Sequence, residues 1–147
     1  MPRYWIVTVG KNHALQGVAM GIIQSCHGKR APLALMAAGD GIFLYAPKID
    51  YAKEARYKAF VGVGLVKNDE VYQVEMGQGF YPFRRDAQFF DIAQDALLST
   101  FPIAKDRWVR KFRFGQFEIV ESDFFLVAAA MGVPETTLGT VQQRLAH

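Results

Sequence analysis

A single cysteine, three scattered histidines and no long apolar run remove several common functional classes from this 147-residue chain. Cys26 alone cannot close an intramolecular disulfide, and no basic start followed by an apolar stretch opens the sequence. The expectation is therefore a reducing, cytoplasmic setting. The longest apolar run, Phe124 to Val133, lies between Asp123 and Pro134 and falls well short of the roughly 20 residues that cross a bilayer. No membrane contact is expected. His13, His27 and His147 are too far apart for a ligand-spacing motif, so no metal is expected. Walker loops and nucleophile elbows are missing, and Gly62-Val63-Gly64 lacks the third glycine and following helix of a dinucleotide fingerprint. No cofactor is implied. Internal repeats, linkers and low-complexity tracts are also missing, and residues 1–147 read as a single domain.

What remains is a core-building composition. Hydrophobic residues make up 51%, aromatics 14% and charged residues 21%, far from the make-up of a disordered chain. The formal net charge of +3 favours polyanions only slightly.

Alternation and β-branching predict a first strand over Tyr4–Val9, then a short helix capped by Asn12 and stopped by Gly21, with Leu15, Val18 and Ala19 on one face. Pro32 starts a helical turn that buries Leu33 and Met36. A strand over Ile42–Pro47 separates Ile42, Leu44 and Ala46 from Phe43 and Tyr45. Tyr57–Lys67 and Val71–Met76 read as a hairpin turning at Asn68-Asp69, and Gly62 and Gly64 leave space on one face. A further strand falls within Pro82–Phe90. Asp91–Gln94 resembles a capping box for a helix to about Ser99, ended by Pro102. Trp108–Phe114 interleaves aromatics with cations, and Phe117–Val120 continues as the last strand. Ser122 caps a helix through Met131, Pro134 ends it, and Leu138, Val141 and Leu145 mark a docking helix. Five or six strands in so short a chain fit an α+β fold built on a small barrel or strongly curved sheet.

Three segments carry candidate chemistry. Cys26 beside His27 suggests an activated thiol, yet neighbours in an extended segment point apart, and a catalytic His usually reaches its Cys across the fold. Gly28-Lys29-Arg30 before Pro32 combines a small residue, two cations and a helix start, which suits an anion as well as it suits a solvated basic loop. Arg84-Arg85 beside Phe80, Tyr81 and Phe83, and Lys105–Arg113 around Trp108 and Phe112, mix cations with rings as nucleic-acid surfaces do. Strands with rings inward and cations outward give the same pattern.

The order of motifs is more specific than any one of them. Tyr4-Trp5-Ile6, Gly21, Cys26-His27-Gly28-Lys29, Pro32-Leu33, Met36, Gly39-Asp40 and Tyr45 with Pro47 occur in sequence. Phe60, Gly62, Tyr72-Gln73-Val74, Pro82-Phe83-Arg84-Arg85, Phe117-Glu118-Ile119 and Asp123-Phe124 follow. In this respect the chain resembles the EVE domain family of the PUA-like group, which is similar to the YTH domains. That resemblance implies a small curved β-barrel flanked by short helices and a non-catalytic module that recognises a modified nucleobase in DNA or RNA.

Carried onto this sequence, the resemblance makes Trp5 and Tyr45 aromatic walls of a base pocket, with Pro47 beside them. Ser25, Cys26 and His27 become polar contacts to the base edge, and Gly28 a point of close backbone approach. Lys29, Arg30, Arg84 and Arg85 become phosphate contacts. Ala34-Leu35, where relatives commonly carry basic residues, and Ala46, where a Ser is common, both lower the expected affinity. The partners implied are modified DNA, RNA or a modified nucleoside. A thiol-dependent or nucleotide-processing enzyme using Cys26 and His27, and a binder of free nucleosides or organic anions, are the alternatives.

Overall fold

The computed structural model describes residues 1–50 and 53–146, and only the backbone at 50, 53, 54 and 103; His147 lies outside the described residues. Seven strands form one mixed sheet. They are β1 (Tyr4–Thr8), β2 (Ile22–Ile23), β3 (Gly41–Asp50), β4 (Lys53–Gln73), β5 (Phe83–Phe89), β6 (Ala96–Leu97) and β7 (Gln116–Ile119). The sheet order is β2-β5-β4-β3-β1-β7, with β6 added to β4. Among the described strands only β1 and β3 pair in parallel, with Thr8 opposite Tyr45. The path from β2 to β7 stays open, so the α+β class holds while the expected closed barrel is not seen. The strand count exceeds five or six because β6, two residues long, stands where a helix is expected and is too short to show a period, while β2, equally short, falls within Gly21–Gln24, which the sequence marks as extended.

Alternation along β1 and β3 divides the core between the two faces of the sheet. Tyr4, Ile6, Phe43 and Tyr45 join one buried cluster, while Trp5, Val7, Ile42, Leu44 and Ala46 join the other. Helices α1 (Lys11–Met20) and α2 (Arg30–Ala34) contribute Ala14 and Leu33 to the second cluster. Helices α3 (Pro102–Trp108), α4 (Glu121–Ala130) and α5 (Glu135–Leu145) cover the first with Trp108, Phe124, Val127, Leu138 and Val141. Gly21 ends α1 in the left-handed region at φ 68°, as expected, but Gly10 is the N-cap and Leu15 points outward. Ala14 takes the buried position because α1 lies close over the sheet, where a Cβ on Gly62 would stand 3.1 Å from Val18 Cγ2. The space predicted at Gly62 is thus filled from within.

Four further expectations change. The Asn68-Asp69 turn is not a hairpin but an irregularity within β4, where pairing with β5 shifts between Val66 and Val71. Asn68 Oδ1 accepts from the Glu70 amide and Asp69 Oδ1 from the Ala38 amide, so the side chains bend the strand without reversing it. Residues 91–99 form no α-helix; β6 and a 3₁₀ turn at Leu98–Thr100 take their place. Pro102 opens α3 at its first turn, where a missing N–H costs nothing. Trp108 consequently ends a helix instead of starting a strand, and residues 109–115 are turns. Helix α4 begins at Glu121, with Val120 as its cap, in place of Ser122.

A candidate nucleic-acid surface around the Cys26–Gly28 turn

Three successive residues of the 3₁₀ turn Cys26–Gly28 adopt left-handed backbone, with φ of 49°, 62° and 82°. For Cys26 and His27 that conformation carries a cost of about 1–2 kcal/mol each. Such strain persists only where the surroundings fix it. Here Ser25, fully buried, accepts at its carbonyl from the Gly28 and Lys29 amides at 3.0 and 3.2 Å. Its hydroxyl lies 3.6 Å from Cys26 Sγ.

The turn is held from both sides. Pro82 packs against Gly28 so closely that a Cβ there would come within 2.5 Å of Pro82 Cβ. On the other side, a Cβ on Gly115 would lie 3.1 Å from Cys26 Sγ. Gly115 adjoins β7, and its carbonyl accepts from the Thr8 amide at 2.8 Å. The turn therefore sits at the end of the β1–β7 ladder. Thr8 Oγ1 and Gln116 Oε1, both buried, lack hydrogen-bond partners among the described residues, but Thr8 lies on the Tyr4–Tyr45 face of the sheet and Gln116 on the Trp5–Val7 face, where its Nε2 donates to the Pro32 carbonyl at 2.8 Å. On opposite pleats, they do not converge on one site.

His27, Lys29 and Arg30 are exposed, and Cys26 is half-buried. Arg84, also half-buried, donates from Nε to Gln24 Oε1 and approaches Met76 Sδ at 3.3 Å. Its guanidinium is thereby steadied beside the turn. Helix α2 has only five residues, with Pro32 third among them, so the predicted helix-terminus contribution to anion binding lapses and only the side-chain cations remain.

Three assignments do not survive as placed. Arg85 is 1% exposed, donating to the carbonyls of Leu33 at 2.9 Å, of Met36 and of Asn68. Burial pulls its guanidinium below the ordinary arginine value. It ties α2 to the β4 irregularity and offers nothing to a phosphate. Trp5, 3% exposed, is walled into the core, with its indole N–H bonded to Asp40 Oδ2 at 3.0 Å. Tyr45 is equally buried, but on the opposite face of the sheet, under Phe112 at a ring-centroid distance of 4.6 Å. Burial pushes its hydroxyl up to about 12. Trp5 and Tyr45 therefore do not face one cavity, because adjacent strands place them at positions of opposite pleat. Pro47 is half-buried farther along β3.

Exposed rings stand elsewhere, at Phe80, Tyr81 and Phe114. The sequence cue to Phe80 and Tyr81 is the mixture of cations and aromatics around Arg84-Arg85; Phe114 gives none of its own. Two clefts, of about 270 Å³ beside Arg107, Lys111 and Asp123, and about 390 Å³ between α4 and α5, lie away from the turn. No three His, Cys, Asp or Glu residues group as a metal site, and no helix is long and apolar enough to cross a membrane, among the described residues.

The fold has solved counterparts. A Rhodopseudomonas palustris protein determined by NMR superposes with a TM-score of 0.61 at 19% identity, covering 88% of this chain and 93% of that one. A hypothetical protein from Leishmania major gives 0.59 at 12%, covering 90% and 96%. In sequence the chain is similar to UPF0310 proteins. The one from Streptococcus sanguinis is 41% identical, with 86% of this chain and 90% of the relative covered. That of Mesorhizobium japonicum is 39% identical, covering 92% and 96%. A Bacillus subtilis counterpart is 36% identical, covering 89% and 93%. Their names state no activity. The family model for the EVE domain matches residues 3–130, so this chain belongs to the EVE domain family.

Proposed function

We propose that the chain is a non-catalytic, PUA-like module that binds DNA or RNA and recognises a modified base at the Cys26–Gly28 turn. The observation that carries this reading is the strained turn itself, presenting an exposed imidazole and cations. Strained backbone held by its surroundings is characteristic of binding sites. A base edge needs a few fixed donors and acceptors, which Cys26 and His27 can supply with Ser25 buried behind them, and its backbone needs cations, which Lys29, Arg30 and Arg84 can supply. In this reading Trp5 and Tyr45 support the sheet beneath the site and do not wall it.

Cys26 argues for pocket lining over catalysis. Among the described residues its thiol meets the Ser25 hydroxyl, which is no general base. The test is a titration of labelled oligonucleotides, with and without modified bases, at low ionic strength. Binding that weakens as salt rises, and that Lys29→Ala and His27→Ala reduce without loss of thermal stability, supports the reading. A folded protein that binds none of them disproves it.

A further inference from the structure

We propose that this surface takes a single-stranded segment of nucleic acid, with nucleotides on either side of the turn stacked on Phe80 and Tyr81 and on Phe114. This rests on the reading above and narrows it from nucleic acid in general to an unpaired strand. The two basic, aromatic segments are far apart in sequence, yet they flank the same turn. Phe80 Cζ lies 3.4 Å from a Cβ built on Gly28, and Gly115, next to Phe114, faces Cys26 Sγ. The turn thus lies between two loops that each raise a ring.

These rings are presented, not merely left outside. Phe80, Tyr81 and Phe114 are 45%, 51% and 53% exposed. Phe80 and Tyr81 crown a hydrogen-bonded loop joining β4 to β5. In it the Met76 amide donates to the Phe80 carbonyl at 2.9 Å, and Gln73 Nε2 to the Tyr81 carbonyl at 3.0 Å. Three consecutive left-handed residues, Gly77, Gln78 and Gly79, turn that loop. Nothing stands within 4 Å of a Cβ on either glycine, so the loop projects into open space. The Arg113 guanidinium lies 4.7 Å over the Phe114 ring. A cation on an aromatic platform is the pairing that strand-binding grooves use.

Charge fits the same occupant. Lys29 and Arg30 lie on or next to the turn, Arg84 is bonded to Gln24 beside it and Arg113 lies over the Phe114 ring, against Glu75 beside the projecting loop. A base pair hides its faces in the duplex stack, so exposed rings gain nothing from duplex. An unpaired base gives each ring a partner whatever its identity.

The experiment compares a fluorescein-labelled, mixed-sequence nine-nucleotide strand with its duplex, by anisotropy at low salt. The strand is expected to bind more tightly than the duplex. Phe80→Ala and Phe114→Ala should each weaken it by about tenfold, while Phe80→Trp retains affinity. Thermal melting of each variant separates lost stacking from lost fold. If strand and duplex bind equally, or the folded alanine variants bind as the wild type does, this inference fails. Wild-type binding to a modified-base oligonucleotide would then leave the proposed function standing. If no oligonucleotide of either set binds, both fail.

Discussion

Gly28 meets Pro82 at a distance no side chain could tolerate: a Cβ at position 28 would stand 2.5 Å from Pro82 Cβ and 2.9 Å from its Cα. Proline has no flexible end to swing aside, and φ at Gly28 is +82°. Gly28→Ala therefore adds a steric clash to the left-handed cost and is expected to lower stability by about 2–4 kcal/mol. Gly77 provides the control, since its φ is +88° but nothing lies within 4 Å. Gly77→Ala should lose only the backbone part, about 1–2 kcal/mol. Urea denaturation of the two variants measures the difference, and equal losses would mean that the Pro82 contact yields easily.

Asp40 is a second fixed point. Its carboxylate, buried, accepts from Trp5 Nε1 and the Ala37 amide at Oδ2 and from the Arg3 amide at Oδ1, each at 3.0 Å. Asp40→Ala strands three donors and should cost about 3 kcal/mol or more. Trp5→Phe leaves the carboxylate two donors and should cost less, about 1–3 kcal/mol. If Trp5 were instead a wall of the binding site, Trp5→Phe would reduce oligonucleotide affinity at unchanged stability. The opposite pattern is expected.

These two points show what the residue order could and could not reveal. Period-two alternation marked Ile42, Leu44 and Ala46 against Phe43 and Tyr45, and the structure separates those sets across the sheet. Gly21 announced the end of α1 by the backbone conformation that glycine permits. Trp5 and Tyr45 carried family motifs, but their positions on opposite pleats depend on the parallel β1–β3 register, which no local pattern records. Arg84 and Arg85 look alike in sequence. Strand alternation sends one toward Gln24 and the other into three carbonyls, so only the three-dimensional arrangement separates a ligand contact from a structural tie.

That separation is itself testable. Arg85→Met leaves the carbonyls of Leu33, Met36 and Asn68 without their donor and is expected to destabilise the protein by about 3 kcal/mol or more. Arg84→Met, half-exposed, should change stability by less than about 1 kcal/mol while lowering oligonucleotide affinity and flattening its salt dependence. Thermal melts paired with anisotropy at two salt concentrations distinguish the roles. A stable, binding-deficient Arg85→Met protein would restore Arg85 to the phosphate contacts.

Alkaline stability reports on Tyr45. Burial under Phe112 raises its hydroxyl to about 12, from an ordinary value of 10. Tyr72 is likewise raised to about 12, first by burial and then by its bond to Asp86. Below pH 10 both folded and unfolded chains keep these protons, so stability is independent of them. Between about pH 10 and 12 the unfolded chain releases protons that the folded chain retains. Stability must then fall, by up to about 1.4 kcal/mol per pH unit for each tyrosine. Tyr45→Phe should make that decline shallower while leaving the neutral plateau flat, and adding Tyr72→Phe should make it shallower still. Tyr4, raised by burial, and Tyr57, raised chiefly by its bond to Asp95, keep a residual slope in the double variant. Chemical denaturation at stepped pH measures it. An unchanged decline in Tyr45→Phe would mean that the hydroxyl ionises freely in the folded protein, and that Phe112 does not seal this side of the core.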